Sequence, residues 1–141
     1  RTYAVGKIDK ASQKLMEVTK QAFFEGIKYA KKGNRIGDVS HAIGEFVEKN
    51  GFNVVKEFQG HGIGRQMHED PGIPNYGKQG RGIRLEPGMT LAIEPMVMAG
   101  SDEILELEDG WTIITEDGER AAHYENTILI TENEPEILTK A

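Results

Sequence analysis

Residues 60–76 read GHGIGRQMHEDPGIPNY, and this stretch carries two histidines, His61 and His68, seven positions apart. Glycine stands on both sides of His61, which lets the backbone turn tightly and bring an imidazole close to a bound ion. Two isolated acids follow downstream, Glu94 in MTLAIEPM and Glu125 in YENTILIT. One imidazole and two carboxylates in three separate short segments predict three strands that converge on a divalent metal.

The apolar neighbours of the two glutamates indicate that each needs a partner. Glu94 follows Leu-Ala-Ile and Glu125 precedes Thr-Ile-Leu-Ile, and burying an unpaired carboxylate is costly unless a cation, a proton or strong donors offset it. Pro95 lacks a backbone donor, which places Glu94 near a strand end or a bulge. The alternatives are a structural ion pair for each acid and a hydrogen-bonded turn histidine for His61.

The other histidines have different predicted roles. His68 is expected in the same loop as His61, where a second imidazole orients or protonates a substrate. His41 is expected on the polar face of a helix, in solvent. His123 alternates with Glu125 along a strand, so its side chain points the same way and is a candidate to support the ligands.

Met67 and Trp111 are candidate walls of a substrate pocket, the alternative for the single tryptophan being a place in the core. The glycine-rich stretch that begins at Gly60 is not a phosphate-binding loop, because it lacks the Lys-Ser/Thr ending.

Composition bounds the class of protein. A chain of 141 residues suits one domain, and a net charge of -6 argues against a nucleic-acid partner. Without cysteine there are no disulfides and no thiolate ligands, which leaves the compartment undetermined and fits a reducing cytosol. No apolar run approaches the ~20 residues of a membrane span. The chain opens on Arg1 rather than Met, inside a possible strand at residues 2–5, as expected of a fragment or a processed product.

Hydrophobic periodicity predicts two helices and then strands. The first helix is predicted over residues 9–32, with Asp9 as N-cap and Gly33 after its end, and the second over residues 38–50, ended by Gly51. β-prone segments follow at residues 53–58, 89–98, 103–108, 112–115, 121–131 and 137–139. Two helices followed by an antiparallel-leaning sheet predict an α+β fold in one domain.

Four segments closely resemble, in order, the sequence blocks of bacterial, type I methionine aminopeptidases: GHGIGRQMHEDP, PGMTLAIEPM, DGWTIITEDG and YENTILIT. The resemblance runs over essentially all 141 residues. Proline aminopeptidases and prolidases share the fold and the GHGIG segment, but usually show Gly where Met96 stands and a shorter gap to the last glutamate. The 31-residue step from Glu94 to Glu125 and the block around Trp111 favour the methionine enzymes.

The resemblance implies a pita-bread (creatinase/aminopeptidase-like) fold, whose two pseudo-symmetric halves hold two divalent ions of cobalt, manganese, iron or zinc. The residues that match metal ligands are His61, Glu94 and Glu125. Glu94 would also handle the proton of the bridging water, and His68 would contact the substrate at the scissile amide. Met67 and Trp111 would line the methionine pocket.

The resemblance also implies that residues 1–141 are the C-terminal half of a single metallopeptidase domain. The family's two aspartate ligands and a further substrate histidine lie upstream of the position that matches Arg1. At most one well-held ion and weak or no activity are therefore expected of this chain alone. An open sheet edge is expected to pair with the N-terminal half or with a second copy.

The expected function is removal of the initiator methionine from nascent, ribosome-associated proteins in the cytoplasm, with peptides that begin with Met as substrates. No nucleic-acid or membrane partner is expected. Two alternatives remain: a proline-specific dipeptidase or aminopeptidase of the same fold, and a non-catalytic binding module. Retention of all three ligand residues in one chain argues against the module.

Overall fold

The computed structural model describes residues 1–140, which form two helices and three antiparallel sheets. The helices are α1 (Lys10–Ile27) and α2 (Ile36–Lys49). The strands are β1 (Asn53–Val54), β2 (Gly60–Gly62), β3 (Glu69–Ile73), β4 (Thr90–Ile93), β5 (Met96–Met98), β6 (Ile104–Glu106), β7 (Ile113–Thr115), β8 (Ala121–His123), β9 (Asn126–Leu129) and β10 (Glu136–Ile137). The sheets run β1-β5-β8, β10-β9-β4-β2-β3 and β6-β7. The α+β prediction is confirmed.

Helix α1 begins as predicted and ends early. The Asp9 carboxylate accepts a hydrogen bond from the Ser12 backbone N–H at 2.8 Å, which caps the first turn. The helix stops at Ile27 rather than at residue 32. Tight turns follow the helix, in which the Tyr29 N–H donates to the Gly26 carbonyl and the Ala30 N–H to the Ile27 carbonyl, each at 3.0 Å. The Gly33 N–H donates to the Leu85 carbonyl at 3.0 Å. Gly33 therefore lies in the following turn, at φ +88°, and not at the helix end.

Helix α2 begins at Ile36, two residues before the predicted start. Asp38 is within the first turn, where its carboxylate accepts a hydrogen bond from the Arg35 backbone N–H at 2.7 Å. Such a reach back to the N-cap residue is favourable because it satisfies a free backbone donor. The helix ends at Lys49, and Gly51 follows at φ +82°, as its predicted role as terminator requires.

The two helices pack against each other and cover the sheets. They approach closely at Gly26, where an added Cβ would lie 2.5 Å from Ile43 Cγ1. Phe23 and Ile43 are completely buried at this contact. The core joins helix and strand side chains, among them Val39, Val47, Ile73, Leu91, Ile93, Val97 and Ile128. Neither helix in the described part of the chain is long and apolar enough to cross a membrane.

The two longest predicted strands are each broken once, at facing positions. Residues 89–98 divide into β4 and β5 at Glu94-Pro95, and residues 121–131 divide into β8 and β9 at Tyr124-Glu125. Proline has no backbone N–H to give to a neighbouring strand, so pairing is interrupted there. Together the four strands form one antiparallel ribbon that passes from the three-stranded sheet to the five-stranded sheet.

The segment around His61 is a strand, in line with the prediction of three converging strands, but its glycines do not turn the chain as expected. Strand β2 lies between β3 and β4 in the five-stranded sheet. Neither Gly60 nor Gly62 has a positive φ. An added Cβ would collide with the Ala92 carbonyl oxygen at Gly60 and with the Asp70 carbonyl oxygen at Gly62. Glycine is needed here because neighbouring backbones approach closely, and not because the chain turns.

The remaining predicted strands are shorter than expected, and residues 2–5 form none. The start of the chain instead lies along β8 through one residue, Thr2. Its backbone N–H donates to the His123 carbonyl at 2.9 Å, and its hydroxyl oxygen accepts from the His123 N–H at 2.9 Å. This contact fixes the backbone of His123 from the side opposite β5.

Candidate metal centre

The break in the ribbon places Glu94 and Glu125 opposite each other. Ile93 pairs with Asn126 and Met96 pairs with His123. In the same register, Glu94 faces Glu125. The Glu94 side chain is 16% exposed and that of Glu125 is 41% exposed. Like charges at directly opposite positions repel. The arrangement therefore favours a cation between the two carboxylates.

His61 presents a nitrogen lone pair to Glu94. Its Nδ1 lies 2.8 Å from the Gly62 carbonyl oxygen. Because a carbonyl oxygen only accepts, Nδ1 carries the proton and donates, which leaves Nε2 unprotonated in the neutral ring. This Nε2 lies 3.4 Å from Glu94 Oε1. A metal-binding histidine is held in this way, its other nitrogen fixed by a backbone carbonyl.

His123 joins the two glutamates in the tightest group of potential ligands. Its Nε2 lies 3.4 Å from Glu94 Oε2 and 3.9 Å from Glu125 Oε2. One ligand atom from each of these three residues lies within 4.8 Å of the other two. From the sequence, His123 is expected only to support the ligands. Its alternation with Glu125 was the available signal, but the cross-strand pairing that brings it to Glu94 was not visible.

The geometry of these side chains fits a divalent ion. Zinc binds nitrogen and oxygen ligands at about 2.0–2.2 Å, so two ligands at a tetrahedral angle stand about 3.4 Å apart. Both measured histidine–Glu94 separations have this length. The Nε2 of His123 is buried and has no hydrogen-bond partner among the described residues. Imidazole and carboxylate donors together suit zinc, manganese, iron or cobalt.

His68 lies beside His61, at the end of the connection between β2 and β3. The two ring centroids are 4.3 Å apart and the rings are inclined at 58°. His68 itself is exposed. It is therefore close to the group of ligands and accessible to a molecule that approaches from solvent. His41 is elsewhere: it is half-buried, with Nδ1 3.2 Å from the Gly77 carbonyl oxygen, and so is less solvated than predicted.

The sequence of this chain matches a known protein family over most of its length. The model of metallopeptidase family M24 matches residues 1–132. The chain belongs to metallopeptidase family M24. Members of this family are metallopeptidases by name, and in the M24 chain the residues that face each other across the ribbon break have the donor chemistry that a divalent ion requires.

The relatives of the M24 chain are about twice as long as the chain itself. The methionine aminopeptidase of Clostridium perfringens is 54% identical over 139 residues, which are 99% of this chain and 56% of that protein. The crystal structure of methionine aminopeptidase from Thermotoga maritima superposes with a TM-score of 0.96 at 55% identity, over 99% of this chain and 56% of that one. The chain thus spans little more than half the length of these relatives.

A prolidase is a more distant match. The structure of prolidase from Pyrococcus furiosus superposes with a TM-score of 0.74 at 26% identity, over the whole of this chain and 36% of that one. Both superpositions support the pita-bread architecture that the resemblance implied.

The two predicted pocket residues of the M24 chain lie in exposed connections. Met67 is 72% exposed between β2 and β3, and Trp111 is 87% exposed between β6 and β7. Trp111 is therefore not a core residue, and a pocket lined by these two side chains stays a prediction. An apolar groove of 380 Å³ lies next to His123. Its walls include Phe58, Met96, Met98, Ile104 and Ile114.

Proposed function

We propose that this chain is the metal-binding part of an aminopeptidase that removes methionine from the N-terminus of new proteins. The observation that carries the proposal is that Glu94 and Glu125 face each other at the break in the ribbon, with His61 beside Glu94. Glu94 stands opposite Glu125 there, with the His61 lone pair 3.4 Å from its Oε1. The identity of 54–55% to two methionine aminopeptidases supports the same substrate class.

In this proposal His61, Glu94 and Glu125 hold the metal. A divalent ion supplies Lewis-acid polarisation of the scissile carbonyl and lowers the pKa of the attacking water. Glu94 accepts the proton of that water, a role for which its position at the end of β4 is suited. His68, exposed beside His61, donates a hydrogen bond to the scissile amide and orients it.

The substrate side of the proposal rests on the apolar surface next to the ligands. The groove beside His123 has one wall from the β6–β7 hairpin, the hairpin whose turn carries Trp111. An unbranched, polarisable methionine side chain suits an irregular apolar groove of this kind. In this proposal Trp111 and Met67 line the methionine pocket, as the family resemblance implies.

The activity of the whole enzyme belongs to a longer polypeptide. The relatives have almost twice the length of this chain, and the family resemblance implies that their additional part supplies two aspartate ligands and a histidine. We therefore propose two ions in the full-length arrangement and at most one in this chain. The substrates would be nascent, ribosome-associated proteins in the cytoplasm.

Peptide cleavage tests the proposal. The chain is mixed, in the presence of Co²⁺ or Mn²⁺, with the part of the C. perfringens relative that it does not span, and methionine release from a Met-Ala-Ser peptide is compared with cleavage of an Ala-Pro dipeptide. Methionine release is expected in the mixture and little or none with the chain alone, because the charge-stabilising ligands are divided between the two parts.

Two variants serve as controls. Glu94→Gln should abolish release in the mixture, whereas Glu108→Gln, a change of an exposed acid in the β6–β7 turn, should not affect it. Preferential cleavage of the Ala-Pro dipeptide would move the assignment to the proline-specific enzymes. Full turnover by the chain alone would contradict the division of the site between two parts.

A further inference from the structure

We propose that Asn75 is a positioning residue for Glu94, the glutamate that accepts the proton of the attacking water in the proposed function. This inference deepens the proposed function and rests on it. Asn75 lies just beyond the end of β3 and contacts the backbone of Glu94. It acts through Glu94, and not on the ion or the substrate.

Asn75 is a polar residue in the interior of the protein, where it is only 1% exposed. Its side-chain Nδ2 donates a hydrogen bond to the Glu94 carbonyl oxygen, with an N···O distance of 3.0 Å. The direction of this bond is fixed, because a carbonyl oxygen only accepts. Burying an amide is costly unless it makes a hydrogen bond. The bond to Glu94 therefore accounts for an asparagine at this buried position.

The Glu94 carbonyl lies outside the regular ladder of the sheet. The pairs of β4 with its two neighbouring strands extend no further than Ile93, and Pro95 follows Glu94 directly. A backbone carbonyl in the interior needs a donor, and the ladder stops one residue too early to supply it. Asn75 supplies this donor from the segment that follows β3.

The hydrogen bond from Asn75 helps to set the direction of the Glu94 side chain. On the N-terminal side of Glu94, the pairing of Ile93 with Asn126 holds the backbone. On the C-terminal side, the bond from Asn75 holds the peptide that joins Glu94 to Pro95. Two fixed peptide planes leave one direction for the Cα–Cβ bond between them. A displacement of even 1 Å at a reacting group can cost about 100-fold in rate, so this direction matters for the chemistry.

Helix α2 holds Asn75 in turn. The segment that contains Asn75 packs against the helix at Gly44, where an added Cβ would lie 3.0 Å from the Asn75 carbonyl oxygen and 3.3 Å from Tyr76 Cα. Groups that take part in chemistry are placed most precisely when rigid elements support them. The contacts thus run from α2 through Asn75 to the backbone of Glu94.

Asn75→Ala tests this inference, with Co²⁺ as the probe. A Co²⁺ titration of the complete 141-residue chain gives the affinity, and the visible absorption spectrum of bound Co²⁺ reports the geometry of its ligands. The kcat and KM of methionine release are measured in the mixture with the C. perfringens part. The matched control is Asn50→Ala, which also removes an amide-to-carbonyl bond, from Asn50 Nδ2 to the Phe46 carbonyl at 2.8 Å.

Asn75→Ala should lower both the Co²⁺ affinity and kcat about tenfold, a loss typical of residues that orient metal ligands. The Co²⁺ spectrum should change, and KM should stay near its wild-type value because Asn75 does not act on the substrate. Asn50→Ala should lose stability only. A folded Asn75→Ala variant with wild-type Co²⁺ affinity, Co²⁺ spectrum and kcat would show a purely structural role and would overturn the inference.

If circular dichroism shows that Asn75→Ala does not fold, Gly44→Ala replaces it. Its methyl group displaces the Asn75 segment without removing the amide, so kcat should fall by about twofold or more, and an unchanged kcat would overturn the inference.

The proposed function and the role of Asn75 fail in different samples. A wild-type mixture that releases no methionine would overturn the proposed function, and this inference with it. Equal release by the wild type and by Asn75→Ala, with equal Co²⁺ spectra, would overturn the role of Asn75 alone. If the chain by itself takes up no Co²⁺, the same titration of the mixture decides.

Discussion

The backbone N–H of Tyr124 donates a hydrogen bond to the Pro95 carbonyl, with an N···O distance of 3.1 Å. This bond bridges the point where both sides of the antiparallel ribbon are interrupted. Because it keeps the register between the β4–β9 and β5–β8 pairs, Glu94 and Glu125 stay opposite each other. A strand break is commonly a means of aiming side chains at a site, and here it aims two carboxylates at one point.

The two facing carboxylates should lower the stability of the metal-free chain, because their like charges repel. We expect Glu125→Gln to raise the free energy of unfolding without metal by about 0.2–1 kcal/mol, the range for removing a like-charge pair across two strands. With Zn²⁺ present the order should reverse, because only the wild type gains stability from bound ion. Denaturant unfolding with EDTA and with Zn²⁺ measures both effects.

The control for this prediction is Glu108→Gln, which removes an acid from an exposed turn. It should change neither measurement appreciably. A Glu125→Gln variant that loses stability without metal, or that gains as much from Zn²⁺ as the wild type does, would show that the two carboxylates do not face each other across an ion site.

Gly62 should be intolerant of any side chain. In Gly62→Ala the new methyl group meets the Asp70 carbonyl oxygen of the adjacent strand. A shift of this peptide also moves the Gly62 carbonyl that orients His61. We expect a loss of about 1–3 kcal/mol of stability, accompanied by weaker Zn²⁺ binding, as measured by thermal unfolding and calorimetry.

Gly64→Ala is the matched control for Gly62→Ala. Its methyl group would meet only the end of the Glu69 side chain, which can move away. Near-wild-type stability and metal affinity are therefore expected. Equal damage from both substitutions would mean that the segment tolerates no alanine for some reason other than the approach of β3.

The positions of Glu94 and Glu125 could be predicted from sequence because their signal is local. Each acid stands beside an apolar run, and Pro95 marks the place where pairing stops. The structure confirms a break at that position, between Ile93 and Met96. The order of helices and strands was also local information, since helical periodicity and β-branched residues are properties of short segments.

The features that sequence analysis missed depend on distant contacts. The segment after helix α1 is joined to a distant part of the chain, because the Gly33 N–H donates to the carbonyl of Leu85, more than fifty residues away. Gly60 and Gly62 are needed because the backbones of neighbouring strands approach them closely, and not because the chain turns. His123 reaches Glu94 through cross-strand pairing with Met96. None of these contacts leaves a pattern in the surrounding residues.

The cap of helix α1 should give a pH-dependent contribution to stability. The hydrogen bond from the Ser12 backbone N–H, assisted by Arg120, lowers the pKa of Asp9 from its ordinary 3.8. Because the folded-state pKa is the lower one, the contribution is present above pH 3.8 and is lost as the pH falls through the lowered value. The melting temperature of Asp9→Ala should therefore lie below that of the wild type at pH 6. This difference in melting temperature should disappear as the pH falls below the lowered pKa of Asp9.

Asp9→Asn separates charge from capping, because asparagine still accepts the capping hydrogen bond but does not titrate. At pH 6 the melting temperature of Asp9→Asn should lie between those of the wild type and of Asp9→Ala. A gap between wild type and Asp9→Ala that stays constant from pH 6 to pH 2 would contradict the role assigned to the ionised carboxylate.

Self-association is expected if nothing else covers the apolar surface. The β6–β7 hairpin exposes Leu105, Ile113, Ile114 and Trp111. The pseudo-two-fold symmetry implied by the family resemblance favours pairing of two copies, which would bury about 2,000 Å² or more. Sedimentation equilibrium should then show a mass that rises with concentration. A compact monomer at every concentration, with no dye-binding apolar surface, would contradict this prediction.

The central claim, that the break in the ribbon is a metal site, is tested most directly by anomalous diffraction from crystals grown with Zn²⁺. We expect one anomalous peak within about 2.0–2.2 Å of His61 Nε2 and of a carboxylate oxygen from each of Glu94 and Glu125. A peak elsewhere, no peak at all, or any of these three side chains turned towards bulk solvent would contradict the claim.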